Sequence, residues 1–252
     1  MKAQKVDILG VKVDAVNLDS AWGIIEEWVS KREKAYVCVA PVSTIVSCHE
    51  DEQYRDVVNR AQMVTPDGMP VVWLARGKGF KEVERTYGPD LLLKVCKEGQ
   101  QKELRHFFYG GTEEVCGRLK TALAAQASSI RIVGMYSPPF RELTDAENEK
   151  IVTMINEAQP DILWVGLGSP KQDFWMSKNR DKLTGPVMLG VGAAFDFLSG
   201  IKPQAPRWMQ CSGLEWLFRL CCEPRRLWKR YFVGNTKFIV LLLKEQFQSK
   251  GK

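Results

Sequence analysis

Histidine is nearly absent from this chain, with His49 and His106 the two in 252 residues, and no two of the seven cysteines form a C-x-x-C pair. A zinc site built from such ligands is not expected, and neither is a histidine-based nucleophile site. Cys38, Cys48, Cys96, Cys116, Cys211, Cys221 and Cys222 fall mostly in apolar segments and read as reduced core residues of a cytosolic protein. No apolar run approaches the roughly 20 residues needed to cross a bilayer, and the N-terminus MKAQKVDILG carries no secretory signal. There is neither a G-x-G-x-x-G fingerprint nor a G-x-x-x-x-G-K-[ST] loop, which argues against a nucleotide-dependent oxidoreductase and a P-loop nucleotidase. Internal repeats and low-complexity tracts are missing too.

Surplus positive charge is confined to one end. The formal charge is +6, but residues 202–252 hold eleven Lys/Arg against three Glu, or +8, which leaves −2 for residues 1–201. Arg219, Arg225, Arg226, Lys229 and Arg230 are interleaved there with Trp208, Trp216, Phe218, Trp228, Tyr231 and Phe232. Aromatic and basic residues in this mixture suit the level of lipid headgroups. An anionic membrane surface, rather than nucleic acid, is the expected partner, met by helices lying in the interface. The spacing of Trp208, Trp216 and Trp228 predicts one helical side, which either packs on the main domain or enters lipid.

At 252 residues and 45% hydrophobic content the chain can bury one large core. Strands are predicted over Val6–Val16, Ala35–Ala40, His106–Tyr109, Ile130–Met135, Asp161–Gly166 and Val187–Val191, several of them continuous apolar runs. Helices are predicted over Leu18–Arg32, Gln53–Ala61, Pro89–Glu98, Thr112–Ala127, Thr144–Ala158 and Pro170–Asn179. Thr112 caps a turn bearing Glu113 and Glu114, and Thr144 with Glu147 forms a capping box. The alternation gives an α/β fold, a Rossmann-like doubly wound and mostly parallel sheet over residues 1–204. Residues 205–252 follow as a basic, aromatic-rich helical appendage. Ligands of such sheets sit outside the carboxyl ends of the strands.

The loops found there are TPDGMP (65–70), Gly110-Gly111-Thr112, GLGSPKQD (166–173) and GVGAAFDF (190–197). With ERTYGPDLL (84–92), FFYGGTEE (107–114), YSPPF (136–140), GLGSPKQDFW (166–175), GVGAAFDFLSG (190–200) and APRWMQCSGLEWLFRLCCEPRRLWKRY (205–231), they make the chain resemble the WecG/TagA/CpsF glycosyltransferase family, also called glycosyltransferase family 26. The resemblance runs over nearly the whole chain. It implies an inverting, metal-independent transferase with no cofactor, taking a hexose or its N-acetyl or uronic derivative from a UDP-sugar donor. The implied acceptor is a sugar linked to undecaprenyl diphosphate, a polyprenyl-diphosphate carrier, in surface-polymer synthesis on the inner face of the cell membrane.

Carried over residue by residue, the resemblance makes Asp67 the general base and Arg85 a phosphate-binding cation. It assigns donor contacts to Tyr136, Gln172 and Asp196, with Gly110 and Gly111 at a helix start that suits a phosphate. Arg219, Arg225, Arg226 and Arg230 are assigned to the acceptor diphosphate and the membrane. Two departures from the family pattern stand out. Ala40-Pro41-Val42-Ser43 replaces a usual Thr-x-Asn stretch, and Asp173 replaces a common Glu.

A structural reading stands beside each of these assignments. Asp67 suits a Pro-Asp-Gly turn as well as a base, and Arg85 suits a surface pair with Glu82 or Glu84. Gly110 and Gly111 fit a turn of positive φ, Gln172 an exposed first helical turn, and Tyr136 packing against Pro138 and Pro139. Asp196 lies among apolar neighbours and requires a partner, either a ribose hydroxyl or a buried backbone donor. Lys171 solvates its helix start, and His106 reads as a core or edge residue. The alternative function is a non-catalytic nucleotide- or anionic-lipid-binding module, and homo-oligomerisation is left open.

Overall fold

The computed structural model describes residues 3–250. The chain opens with a hairpin, β1 (Lys5–Ile8) and β2 (Val11–Asp14), in which Val6 lies opposite Val13. The single strand predicted over Val6–Val16 is thus two, because Leu9 and Gly10 at φ 52° and 86° turn the chain back. After α1 (Leu18–Ser30) come β3 (Tyr36–Ala40), α2 (Val42–Glu50), α3 (Glu52–Asn59), β4 (Met63–Pro66) and α4 (Met69–Gly77). There follow α5 (Gly88–Gly99), β5 (Arg105–Gly110), α6 (Glu113–Gln126), β6 (Arg131–Tyr136) and α7 (Asp145–Ala158). The body ends with β7 (Ile162–Gly166), α8 (Lys171–Asn179), β8 (Val187–Gly190) and α9 (Ala194–Leu198).

Strands β3 to β8 form one parallel sheet in the order β4-β3-β8-β7-β5-β6. Its strands serve two cores, because successive side chains point to opposite faces. Val37, Phe108 and Trp164 join Ile25 of α1, Leu91 of α5 and Leu119 of α6 on one face. Their neighbours Cys38, Tyr109 and Val165 join Val72 of α4, Ile155 of α7 and Met176 of α8 on the other. This double burial is why these strands read as continuous apolar runs.

The predicted capping box at Thr144 is present, with the Thr144 hydroxyl accepting from the Glu147 N–H and the Glu147 carboxylate accepting from the Thr144 N–H. Thr112 likewise caps α6 by accepting from the Val115 N–H. Strand β4 and helices α2 and α4 were not predicted. β4 has four residues and ends in Pro66, while α2 and α4 have Pro41 and Gly68 as N-caps and no side-chain cap, which leaves Pro70 in the first turn of α4 as a weak start signal.

Residues from Ala205 form α10 (Arg207–Cys211), α11 (Glu215–Cys222) and α12 (Pro224–Trp228), and a π-helical turn (Lys229–Val233) leads into α13 (Gly234–Lys250). Ala205, Leu227 and Phe238 are buried, and Phe238 joins the core cluster of α4 and α7. The three appendage tryptophans do not share one helical side, since Trp208, Trp216 and Trp228 fall on α10, α11 and α12. Among the described residues no helix is long and apolar enough to cross a membrane.

Candidate active site

Four strand ends and the appendage enclose a cleft of about 900 Å³. Its floor is made by Asp67 and Gly68 after β4, Pro41 to Ser43 after β3, Gly190 to Ala194 at and after the end of β8, and Gly168, Ser169 and Gln172 around the start of α8. Its roof is Gln210, Glu215, Trp216, Arg219, Arg226, Arg230 and residues of α13.

Backbone pairing sets Asp67. Its N–H donates to the Ala40 carbonyl (3.3 Å) at the end of β3, and Gly68 at φ +89° turns the chain into α4. The Thr86 N–H donates to the Pro66 carbonyl (2.8 Å), which brings residues 85–87 beside this turn. Arg85 Nε then donates to Asp67 Oδ1 (3.2 Å), and its Nη2 donates to Glu215 Oε2 of α11. The guanidinium also lies over the Tyr87 ring, 3.9 Å from its centroid. Burial alone would weaken the Arg85 charge, but the carboxylates of Asp67 and Glu215 overcome it and raise the pKa above the usual arginine value. The partners expected from sequence, Glu82 or Glu84, are replaced by these two.

Gln172 is not an exposed first-turn residue. It is buried, and its Oε1 accepts from the N–H groups of Gly168 (3.1 Å) and Gly192 (3.0 Å) while its Nε2 donates to Ser169 Oγ (3.3 Å). One side chain thereby ties together the two glycine loops of the floor. A Cβ at Gly190 would stand 2.9 Å from Gln172 Nε2 and 2.6 Å from Met176 Cε, so only glycine leaves room for the tie. The next residue, Asp173, is buried and accepts from the Tyr54 hydroxyl (2.7 Å); burial raises its pKa.

Other predicted site residues lie outside the cleft lining. Gly110 ends β5, Gly111 follows it and Tyr136 ends β6, on the side of the sheet beyond the four floor strands. Gly110 has φ +128°, and a Cβ there would come 2.5 Å from the Gly166 carbonyl oxygen; Gly111 has φ +71°. Their immediate demand is packing between β5 and β7. Tyr136 packs on Tyr109, ring centroids 6.2 Å apart and 14° from parallel. Asp196 pairs with Lys202 Nζ (2.7 Å), which also lies 3.6 Å from Glu223. Arg225 is exposed and does not line the cleft.

Arg219, Arg226 and Arg230 do line it. Arg219 lies 5.2 Å from the Phe197 ring centroid, Arg226 pairs with Glu223, and Arg230 Nη2 donates to Ser43 Oγ (2.6 Å). Ser43 belongs to the stretch that departs from the Thr-x-Asn pattern, so in this chain that loop anchors the appendage. Glu215 is the residue that sequence reasoning missed. Its signal was present in SGLEW, but its partner lies 130 positions away.

Elsewhere, Cys38, Cys48, Cys96 and Cys116 are buried, whereas Cys211, Cys221 and Cys222 are exposed free thiols, contrary to the reading of all seven as core. Lys171 is exposed, and His106 is buried with its Nδ1 accepting from Trp164 Nε1 (3.2 Å). Among the described residues no three His, Cys, Asp or Glu side chains gather as a metal site would require.

Named transferases are similar to this chain along most of their length. The chain is 28% identical over 235 residues to an N-acetylglucosaminyldiphosphoundecaprenol N-acetyl-beta-D-mannosaminyltransferase of Bacillus subtilis strain 168, covering 93% of this chain and 89% of that protein. It is 25% identical over 250 residues to the protein of that name from Staphylococcus aureus strain NCTC 8325, covering 98% and 94%. The profile of the Glycosyl transferase WecG/TagA/CpsF family matches residues 6–252. With that match, and with a parallel sheet whose strand-end cleft is roofed by arginines, the chain is a glycosyltransferase and belongs to the WecG/TagA/CpsF family.

Proposed function

We propose that this chain is an inverting glycosyltransferase that moves a hexose-type sugar, such as N-acetylmannosamine, its uronic acid or glucose, from a UDP-sugar to a sugar linked to undecaprenyl diphosphate. The observation that carries the reading is Asp67, held by Arg85 on the floor of a cleft whose roof holds three arginines. In the transfer the acceptor hydroxyl oxygen forms the bond to the anomeric carbon on the face opposite UDP. The bond from that carbon to the diphosphate oxygen breaks, the hydroxyl proton passes to Asp67, and UDP leaves with the electron pair. Negative charge grows on the departing diphosphate; Arg85 is the cation assigned to it, while Arg219, Arg226 and Arg230, which line the roof, are assigned to the diphosphate of the acceptor. Glycine-lined loops at Gly168 and Gly190 to Gly192 leave space for the donor.

The acceptor carried by a lipid requires work at a membrane surface. The appendage supports this, since Trp208, Trp228, Phe232, Ile239, Leu243 and Phe247 are exposed among its basic residues. The test is transfer to a lipid-diphosphate sugar in EDTA. Asp67→Asn should bind UDP nearly as the parent does, while turnover falls by roughly two to four orders of magnitude, the usual contribution of a placed base. A variant rate near the parent's, or a strict need for magnesium or manganese, overturns the mechanism.

A further inference from the structure

One branch of the cleft is apolar and leads away from the sugar. Helices α4 and α13 both begin beside Asp67 and Arg230, α4 directly after Gly68 and α13 after the π-helical turn that contains Arg230. α4 gives Met69, Trp73 and Leu74 to the cleft, and α13 gives Phe238, Ile239 and Leu242. Those spacings place each trio on one face of its helix. Phe238 is buried at the base, whereas Trp73 and Ile239 are 52% and 57% exposed, so the branch is a groove with an open side. The pairs Arg230–Ser43 and Lys237–Glu50 hold α13 along α2, which fixes this wall. From Arg230 to Leu242 the helical rise is about 18 Å.

We infer that the groove binds the first isoprene units of the acceptor lipid. The inference rests on the function proposed above. In such an acceptor the diphosphate is joined directly to a polyprenyl chain, so whatever protein surface grips the phosphates must offer an apolar path from the next atom onward. The cleft has that sequence of surfaces: Asp67 at the sugar, Arg219, Arg226 and Arg230 beside it, then the six apolar side chains. The groove is too short for a whole undecaprenyl chain, and the remainder stays in the bilayer against the exposed side of α13.

Chain length tests this with membranes left out. Acceptors carrying one sugar diphosphate on a methyl, geranyl or farnesyl group are compared at concentrations below micelle formation, with whichever UDP-sugar the full chain turns over. The KM should fall by about tenfold or more from methyl to farnesyl, since each buried methylene contributes about fourfold when fully desolvated. Ile239→Glu and Trp73→Ala, both at positions more than half exposed, should each erase most of that gain, read as the ratio of the methyl to the farnesyl KM within each variant. Phe247→Ser, on α13 but outside the cleft lining, should weaken liposome sedimentation and keep the gain. Equal KM values along the series, or a gain that survives both groove variants, overturn the groove while leaving the transferase reading intact. A gain that vanishes on dilution to the monomer assigns the groove to a second copy of the chain and also overturns it. Transfer to none of the acceptors overturns the function and the groove together.

Discussion

Arg85 is held from three sides, by Asp67, by Glu215 and by the Tyr87 ring, with 13% of its side chain exposed. A charged group so enclosed has little freedom, and the Glu215 contact keeps it from collapsing wholly onto Asp67. Glu215 is thus a positioning residue supplied by α11. Glu215→Gln should lower kcat by about tenfold to a hundredfold with UDP affinity kept, the usual cost of losing support behind a reacting group. Glu215→Asp should restore part of the loss. Wild-type kcat in Glu215→Gln would reduce the carboxylate to a docking contact for α11. Gln172 acts differently. Its Oε1 consumes the Gly168 and Gly192 N–H groups, so those two amides are turned toward protein.

At the seam between β5 and β7, glycine meets glycine. Gly110 faces the Gly166 carbonyl, and a Cβ at Gly166 would lie 2.6 Å from the Phe195 ring of α9, so strand ends and helix are stacked at backbone distance. Gly110→Ala should cost about 2 kcal/mol or more, from positive φ and overlap with backbone, and lower Tm by roughly 5 °C or more. UDP binding by the folded fraction should be unchanged. The opposite result, weaker UDP binding at an unchanged Tm, would return Gly110 to the ligand role read from sequence. The elements themselves were legible where they were long or capped: α6 and α7 announce their starts at Thr112 and Thr144, and β3, β5, β7 and β8 are apolar runs bounded by polar residues. The Leu9-Gly10 turn was hidden inside an apolar stretch, and β4, α2 and α4 were too short or too poorly capped to stand out.

Stability of the molecule against acid should depend on His106, which burial drags from 6.5 down to about 4. The unfolded chain takes up a proton near pH 6.5 that the folded chain refuses until about pH 4, so the folded state is favoured fully above that window and loses stability as pH falls through it. The loss is about 3 kcal/mol over the window. Denaturant unfolding at pH 7 and pH 4.5 should show it in the parent and show it diminished in His106→Gln; an unchanged slope in the variant would place the titrating group elsewhere. His106 was recognisable because one side chain in an apolar run needs no distant partner to be interpreted. Asp67 and Arg85 were recognisable as a set through family motifs, yet their contact across 18 positions was not, and Glu215 was invisible as a partner because pairing over 130 positions is decided by the fold.

The charges lining the cleft have two origins. Asp67 and Arg85 come from loops of the α/β body and cancel, while Glu215, Arg219, Arg226 and Arg230 come from the C-terminal helices and leave a surplus of positive charge. Inheritance can therefore act on the two parts separately. A chimera that takes residues 205–252 from another member of the family is expected to adopt that member's lipid carrier and keep its own nucleotide sugar, since the glycine loops proposed to receive the donor stay behind.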